Sequence, residues 1–216
     1  MILSHGWPLA TPPLTYGDPI RTFAPDSLPL TLAEVRAQCR LTDDDGTDED
    51  ALLVGYLRSA VEYAERYTGL SLITSTWTQK FSAFAALPEH MILRRRPLQA
   101  VVSVDYLDGD GVSQELATDV YRVLGVGEDK RNGSIRLGYS QTWPALRDDP
   151  EAVTVTYMAG FGDDHNAVPE QIRQAIMLLV GYLYNQRETA LIDPVIVEVP
   201  FGTHVLLREW RPLAVA

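Results

Sequence analysis

The sequence predicts an α+β fold: a helical bundle of three main helices, an antiparallel β-sandwich or barrel-like insertion between the second and third, and extended N- and C-terminal arms. Three observations predict it. Apolar residues recur at three- and four-residue steps through Thr47–Gly69 and Pro169–Arg187. Between those segments, from Thr74 to Tyr157, the period drops to two, with β-branched and aromatic residues set between turn signals. Pro8, Pro12, Pro13, Pro19, Pro25 and Pro29 crowd the first thirty residues, each fixing φ and removing a backbone donor. The implied organisation is a Pro-rich arm (1–30), the first part of a helical domain (31–73), the β module (74–160), a closing helix (161–190) and an extended tail (191–216).

Each element has a local cause. Thr31-Leu-Ala-Glu34 is a capping box, followed by the stripe Leu32, Val35, Cys39. The second helix is predicted over Asp48–Gly69, about 33 Å at ~1.5 Å per residue, with Thr47 as cap and carboxylates at its positive end. Leu53, Val54, Leu57, Ala60, Val61, Ala64 and Tyr67 form its stripe, and Gly69 is a natural stop. Strands are predicted at 75–84, 91–93, 101–107, 112–116, 121–124, 134–137 and 153–157. Asp108-Gly-Asp-Gly111 and Asn132-Gly133 read as hairpin turns. Pro169 suits a first helical position, and the helix it opens is apolar on two faces, which predicts a sandwiched element. The tail, Val195–Val199 then Val205–Leu207 and Trp210, reads as extended and too apolar for a free linker.

Composition narrows the function. The 216 residues carry 18 Lys and Arg against 29 Asp and Glu, a net charge of −11. Tight duplex binding rests on cations neutralising phosphates, so a nucleic-acid grip is disfavoured. Residues 41–73 alone hold eight carboxylates against Arg58 and Arg66, −6 of the total. Cys39 is the only cysteine, which excludes an intramolecular disulfide and a cysteine-based zinc cluster. The start lacks a basic region and breaks at Gly6 and Pro8, so no signal peptide is expected. No apolar run approaches the ~20 residues of a membrane span.

Motifs of catalysis are missing or broken. Aligning Asp43–Asp50 with a calcium loop puts Leu41 and Leu52 at liganding positions, so the run reads as a solvated loop with a helix cap. Asp163-Asp164-His165 could serve a divalent-metal-dependent hydrolase, but no second ligand pair lies at helical spacing. Nucleophile-elbow, phosphate-loop and dinucleotide fingerprints do not occur, and no cofactor is expected. Arg94-Arg95-Arg96 reads as a solvated strand end or a salt-bridging interface patch. A cytoplasmic protein-binding scaffold using the Pro-rich arm is a further alternative.

The order of parts resembles the head–tail connector, or adaptor, proteins of tailed bacteriophages, including prophage and gene-transfer-agent adaptors. The resemblance rests on the capped helix Leu30–Val35, the acidic break, the helix ending Ala60–Leu70, and the strand opening at Trp77. It continues through Leu93–Val104, Trp143-Pro144, Val153–Phe161, Val168–Ala175, Tyr184–Glu188 and the Leu206–Pro212 ending. It implies a non-enzymatic structural protein of the virion neck, made in the bacterial host cytoplasm, with no membrane association. Such subunits form a homo-oligomeric ring, dodecameric in the particle, that joins the portal at the head vertex to the tail terminator or tail-completion protein. The ring lines a channel through which DNA passes without specific binding. Aromatic and Arg anchors tend to dominate contact energy. Phe201, Leu206, Leu207, Trp210 and Arg211, with Arg94, Arg95 and Arg96, are therefore the expected partner-interface residues. Truncation after Arg187 is expected to leave a folded protein that no longer joins heads to tails.

Overall fold

The computed structural model describes residues 17–42, 45–85, 89–186 and 201–211. The described chain forms eight strands and four α-helices: β1 Ile20–Phe23, α1 Leu32–Gln38, α2 Asp50–Thr68, β2 Ser75–Phe81, β3 Met91–Ile92, β4 Leu98–Leu107, β5 Ser113–Glu115, β6 Tyr121–Leu124, β7 Ser134–Leu137, β8 Val153–Ala159, α3 Glu170–Asn185 and α4 Phe201–Arg208.

Local chemistry starts and stops the helices. The Thr31 hydroxyl accepts from the Glu34 amide at 3.3 Å and the Glu34 carboxylate accepts from the Thr31 amide at 2.7 Å, completing the capping box of α1. α2 ends at Gly69, whose φ of 72° suits a residue without Cβ. Its start departs from expectation: Glu49, not Thr47, takes the N-cap position, with no side-chain cap bond. Arg36 instead organises the entry, binding Asp50 and donating to the Thr42 and Gly46 carbonyls at 2.7 and 2.8 Å. Pro169 is the N-cap of α3 rather than its first residue.

The helices share one core, in which Val35, Leu53, Leu57, Ala60, Ile172, Ile176 and Val180 are buried. A five-stranded antiparallel sheet, β1-β2-β8-β4-β5, and a three-stranded one, β3-β7-β6, line a second core containing Trp77, Phe81, Met91, Val104, Ile135, Val155 and Tyr157. β2 and β8 alternate strictly between buried and half-buried positions, as the period of two requires. The sheets do not close into a barrel among the described residues.

Two expectations are corrected. The tail is not extended through Val205–Leu207: residues 201–208 form a fourth helix, because the four-residue step from Thr203 to Leu207 places both against the helical core, where they are buried. Val195–Val199 lies outside the described residues, as do Pro8, Pro12 and Pro13. Asn132-Gly133 is not a two-residue hairpin turn, since β6 and β7 are joined by residues 125–133 and the positive φ angles fall at Gly125 and Gly127. Gly133 serves space instead, as a Cβ there would lie 2.3 Å from Leu98 Cδ2. The Asp108–Gly111 turn forms as expected, closed by the Gly111 amide on the Asp108 carbonyl at 2.9 Å.

The α1 cap is tied to α3, because Arg173 donates to the Pro29 carbonyl at 3.2 Å and pairs with Glu34 and Glu170. Burial opposes ionisation of Glu34, but the Thr31 donors and the Arg173 guanidinium outweigh it and hold the carboxyl below its ordinary range. A depressed folded-state pKa means the stabilisation is complete above the unfolded value, about 4.3, and is lost as pH falls through the folded one. Glu34→Ala is therefore expected to cost about 1 kcal/mol at pH 7 and distinctly less at pH 3, read from urea unfolding midpoints. An equal cost at both pH values would contradict the charge-assisted cap.

Candidate functional site

The helical and β cores meet at a junction built by the Arg94–Arg96 run. Arg96 is fully buried, and its guanidinium donates to three carbonyls from distant segments: Thr68 at 2.7 Å, Asp129 at 3.0 Å, and Trp210. Burial pushes its pKa down from the ordinary guanidinium value, with nearby Asp129 opposing. Arg95 lies over the Trp77 ring at 4.5 Å and donates to the Glu65 and Leu70 carbonyls at 3.2 and 3.4 Å. Arg94 reaches out to Asp18 at 3.0 Å. The run is thus divided, with Arg94 at the surface and the other two drawn into the junction. Two of its three side chains turn inward, because carbonyl groups left over at the end of α2 and in the 125–133 loop need donors.

Opposite Arg95, Arg21 from β1 lies over Trp77 at 4.6 Å and pairs with Glu65. Glu65, buried in α2, also accepts from the Leu72 amide at 2.9 Å. Arg21, Glu65, Trp77 and Arg95 border a groove of about 590 Å³ between residues 24–29 and the second half of α2. Of these, Trp77 and Arg95 had stood out in the sequence. Glu65 carried a weak signal, a carboxylate beside the apolar Ala64 position of a helical stripe, and Arg21 carried none.

α4 closes the far side of the junction. Leu207 and Trp210 are buried in the helical core, and Leu206 packs partly against it. The Trp210 indole donates to Gln171 at 3.0 Å, meets Phe161 edge-on at 5.9 Å and receives the Lys130 ammonium over its face at 4.3 Å. Arg211 lies 5.2 Å over Tyr67. Of the expected tail anchors, Phe201, 83% exposed, and Arg211 are open. The eight expected interface residues therefore separate: Arg95, Arg96, Leu207 and Trp210 hold the chain together, while Phe201 faces outward.

The residues of the hydrolase alternative serve a turn. The Asp164 carboxylate accepts from the Asn166 amide at 2.7 Å and caps a 3-10 turn at His165–Ala167. No group of three His, Cys, Asp or Glu side chains that could hold a metal ion occurs among the described residues. None of the described helices is long and apolar enough to cross a membrane.

Residues 29–104 match the family model described as phage gp6-like head-tail connector protein. Over that segment the chain is similar to head–tail connector proteins. The solved structures agree. A chain in "Virion of native gene transfer agent (GTA) particle" is 26% identical to this one, covering 92% of this chain and 97% of its own, with a TM-score of 0.74. One in "Neck of empty GTA particle computed with C6 symmetry" gives the same values. A third, in "Neck of native GTA particle computed with C12 symmetry", has the same identity and coverage and a TM-score of 0.68. No curated protein matches the chain. The likeness is therefore to a head-tail connector model over residues 29–104 and, over nearly the whole chain, to subunits of gene transfer agent particles. The matched segment runs from the cap of α1 into β4, and so contains the whole arginine run of the junction.

Proposed function

We propose that this protein assembles as a homo-oligomeric ring, dodecameric in the particle, that joins the portal to the tail terminator or tail-completion protein and surrounds the path of the DNA. The observation that carries the reading is the likeness, over nearly all of both chains, to a subunit in gene transfer agent necks. The physical properties suit it. A subunit with a net charge of −11 repels a polyanion, so a channel of such subunits would let DNA slide without retaining it. Arg95, Arg96 and α4 brace the two cores against each other, which gives a ring a stiff unit. Synthesis takes place in the bacterial host cytoplasm, ahead of joining.

Deleting the gene tests the reading. Micrographs are expected to show DNA-containing heads and separate tails, with joining restored by adding the purified protein. Complete tailed particles formed in its absence would overturn it. The purified protein is also expected to leave duplex DNA unshifted in a gel at 50 mM salt.

A further inference from the structure

The outward face of the five-stranded sheet has an unusual composition, visible only once the register is known. Phe23, Thr76, Met158 and Ala100 form one row across β1, β2, β8 and β4, and Ile20, Thr78, Thr156 and Ser103 form the next. These eight positions carry no charge, although an ordinary surface is about 25–35% charged. Ile20 and Phe23 are each 65% exposed. Charge returns only in the third row, Lys80, Thr154 and Asp105, where Lys80 pairs with neighbouring Glu151. An uncharged centre with a charged rim is the anatomy of a protein interface.

α4 carries the complementary patch. Its inner side, Thr203 and Leu207, is buried, while Phe201, Val205 and Arg208, at four- and three-residue steps, are all exposed on the other side. α4 packs on α3 and α2 and is pinned there by Leu207, Trp210 and the Arg96 bond to Trp210. It cannot leave that seat to cover its own sheet. Two complementary patches fixed apart on one chain can be joined only between copies, and such a head-to-tail contact closes into a ring when its rotation permits.

We propose that the outer side of α4, through Phe201 and Val205, seats on the uncharged face of the five-stranded sheet of the adjacent copy, with Arg208 toward the Asp105 rim. This contact rests on the ring adaptor reading and specifies how its subunits meet.

Paired cysteines test it in purified particles. Copies carrying Thr156→Cys and copies carrying Val205→Cys, both with Cys39→Ser, are co-produced and oxidised. Covalent dimers are expected only when both variants are present, and a chain carrying both substitutions should give a ladder of linked copies. Particles containing both variants at normal levels without cross-links would overturn the contact and leave the adaptor reading standing. Absence of the unaltered protein from particles would overturn both. As a second variant, Thr156→Glu should abolish the ring while the isolated subunit keeps its melting temperature; an intact ring would reject the proposal.

Discussion

Arg96→Met is expected to lower unfolding free energy by about 3–5 kcal/mol. Its side chain is fully buried and donates to carbonyls at Thr68, Asp129 and Trp210. Methionine fills comparable volume but donates nothing, and each buried acceptor left without a partner costs about 1–3 kcal/mol. Relaxation and water entry recover part of that sum, which is why the expectation sits below the simple total. Arg96→Lys should rescue only partly, because one ammonium on a flexible stem cannot match the fixed fork of the guanidinium across three directions. Urea unfolding reads the loss, and amide exchange should locate it at α4 and the 125–133 loop first, since Arg96 is the donor that ties both to the end of α2. A loss under 1 kcal/mol would show that the three carbonyls find water and that the junction does not depend on Arg96.

Truncation after Arg187 should do more than detach an arm. The sequence suggested a folded protein that merely fails to join heads to tails, but α4 buries Leu207 and Trp210 in the helical core and caps the junction. Removing it exposes Phe161, Gln171 and the Arg96 guanidinium together. Trp210→Ala alone is expected to cost about 3–5 kcal/mol, as for other buried aromatics, and the truncation at least as much. A short or absent thermal transition, with exposed apolar surface detected by dye binding, is the expected result. A truncated chain that melts like the whole protein would place α4 outside the folding unit. The distinction matters for function, because failed joining by an unfolded variant says nothing about an interface. Phe201→Glu is the cleaner probe: its side chain is open, so any assembly defect it causes is a surface effect.

Much of this molecule was legible from local rules. The capping box at Thr31 and Glu34 formed as read, because both partners lie within one turn. Tyr121–Leu124 and Ser134–Leu137 formed at the expected residues, and Gly69 closed α2, since alternation and a left-handed stop are short-range properties. The connector resemblance was likewise readable from the order of elements, and the family match begins at residue 29, where that resemblance started. The readings that failed were those in which a distant segment decided the outcome. Thr47 gave up the α2 cap because Arg36, eleven residues upstream, organised the entry through Asp50, Thr42 and Gly46. The tail read as extended forms a helix at residues 201–208, where tertiary burial of Leu207 overrides the weak helix propensity of Gly202, Thr203 and Val205.

The arginine run makes the same division at the centre of the site. As sequence, three consecutive cations in an acidic protein belong on the surface, because an isolated buried charge is costly. In the fold, Arg94 stays outside, Arg95 stacks on Trp77, and Arg96 goes fully inside. By itself the sequence determined most of the elements between residues 31 and 186, their order, the excess acid and the family they resemble, because these depend on neighbours within a few residues. Only the tertiary structure decided which charges are interior, that the tail is a helix, and that two rows of the sheet face are uncharged. Each of those depends on register or on acceptors brought together from segments more than twenty residues apart in the chain, and no local pattern encodes them.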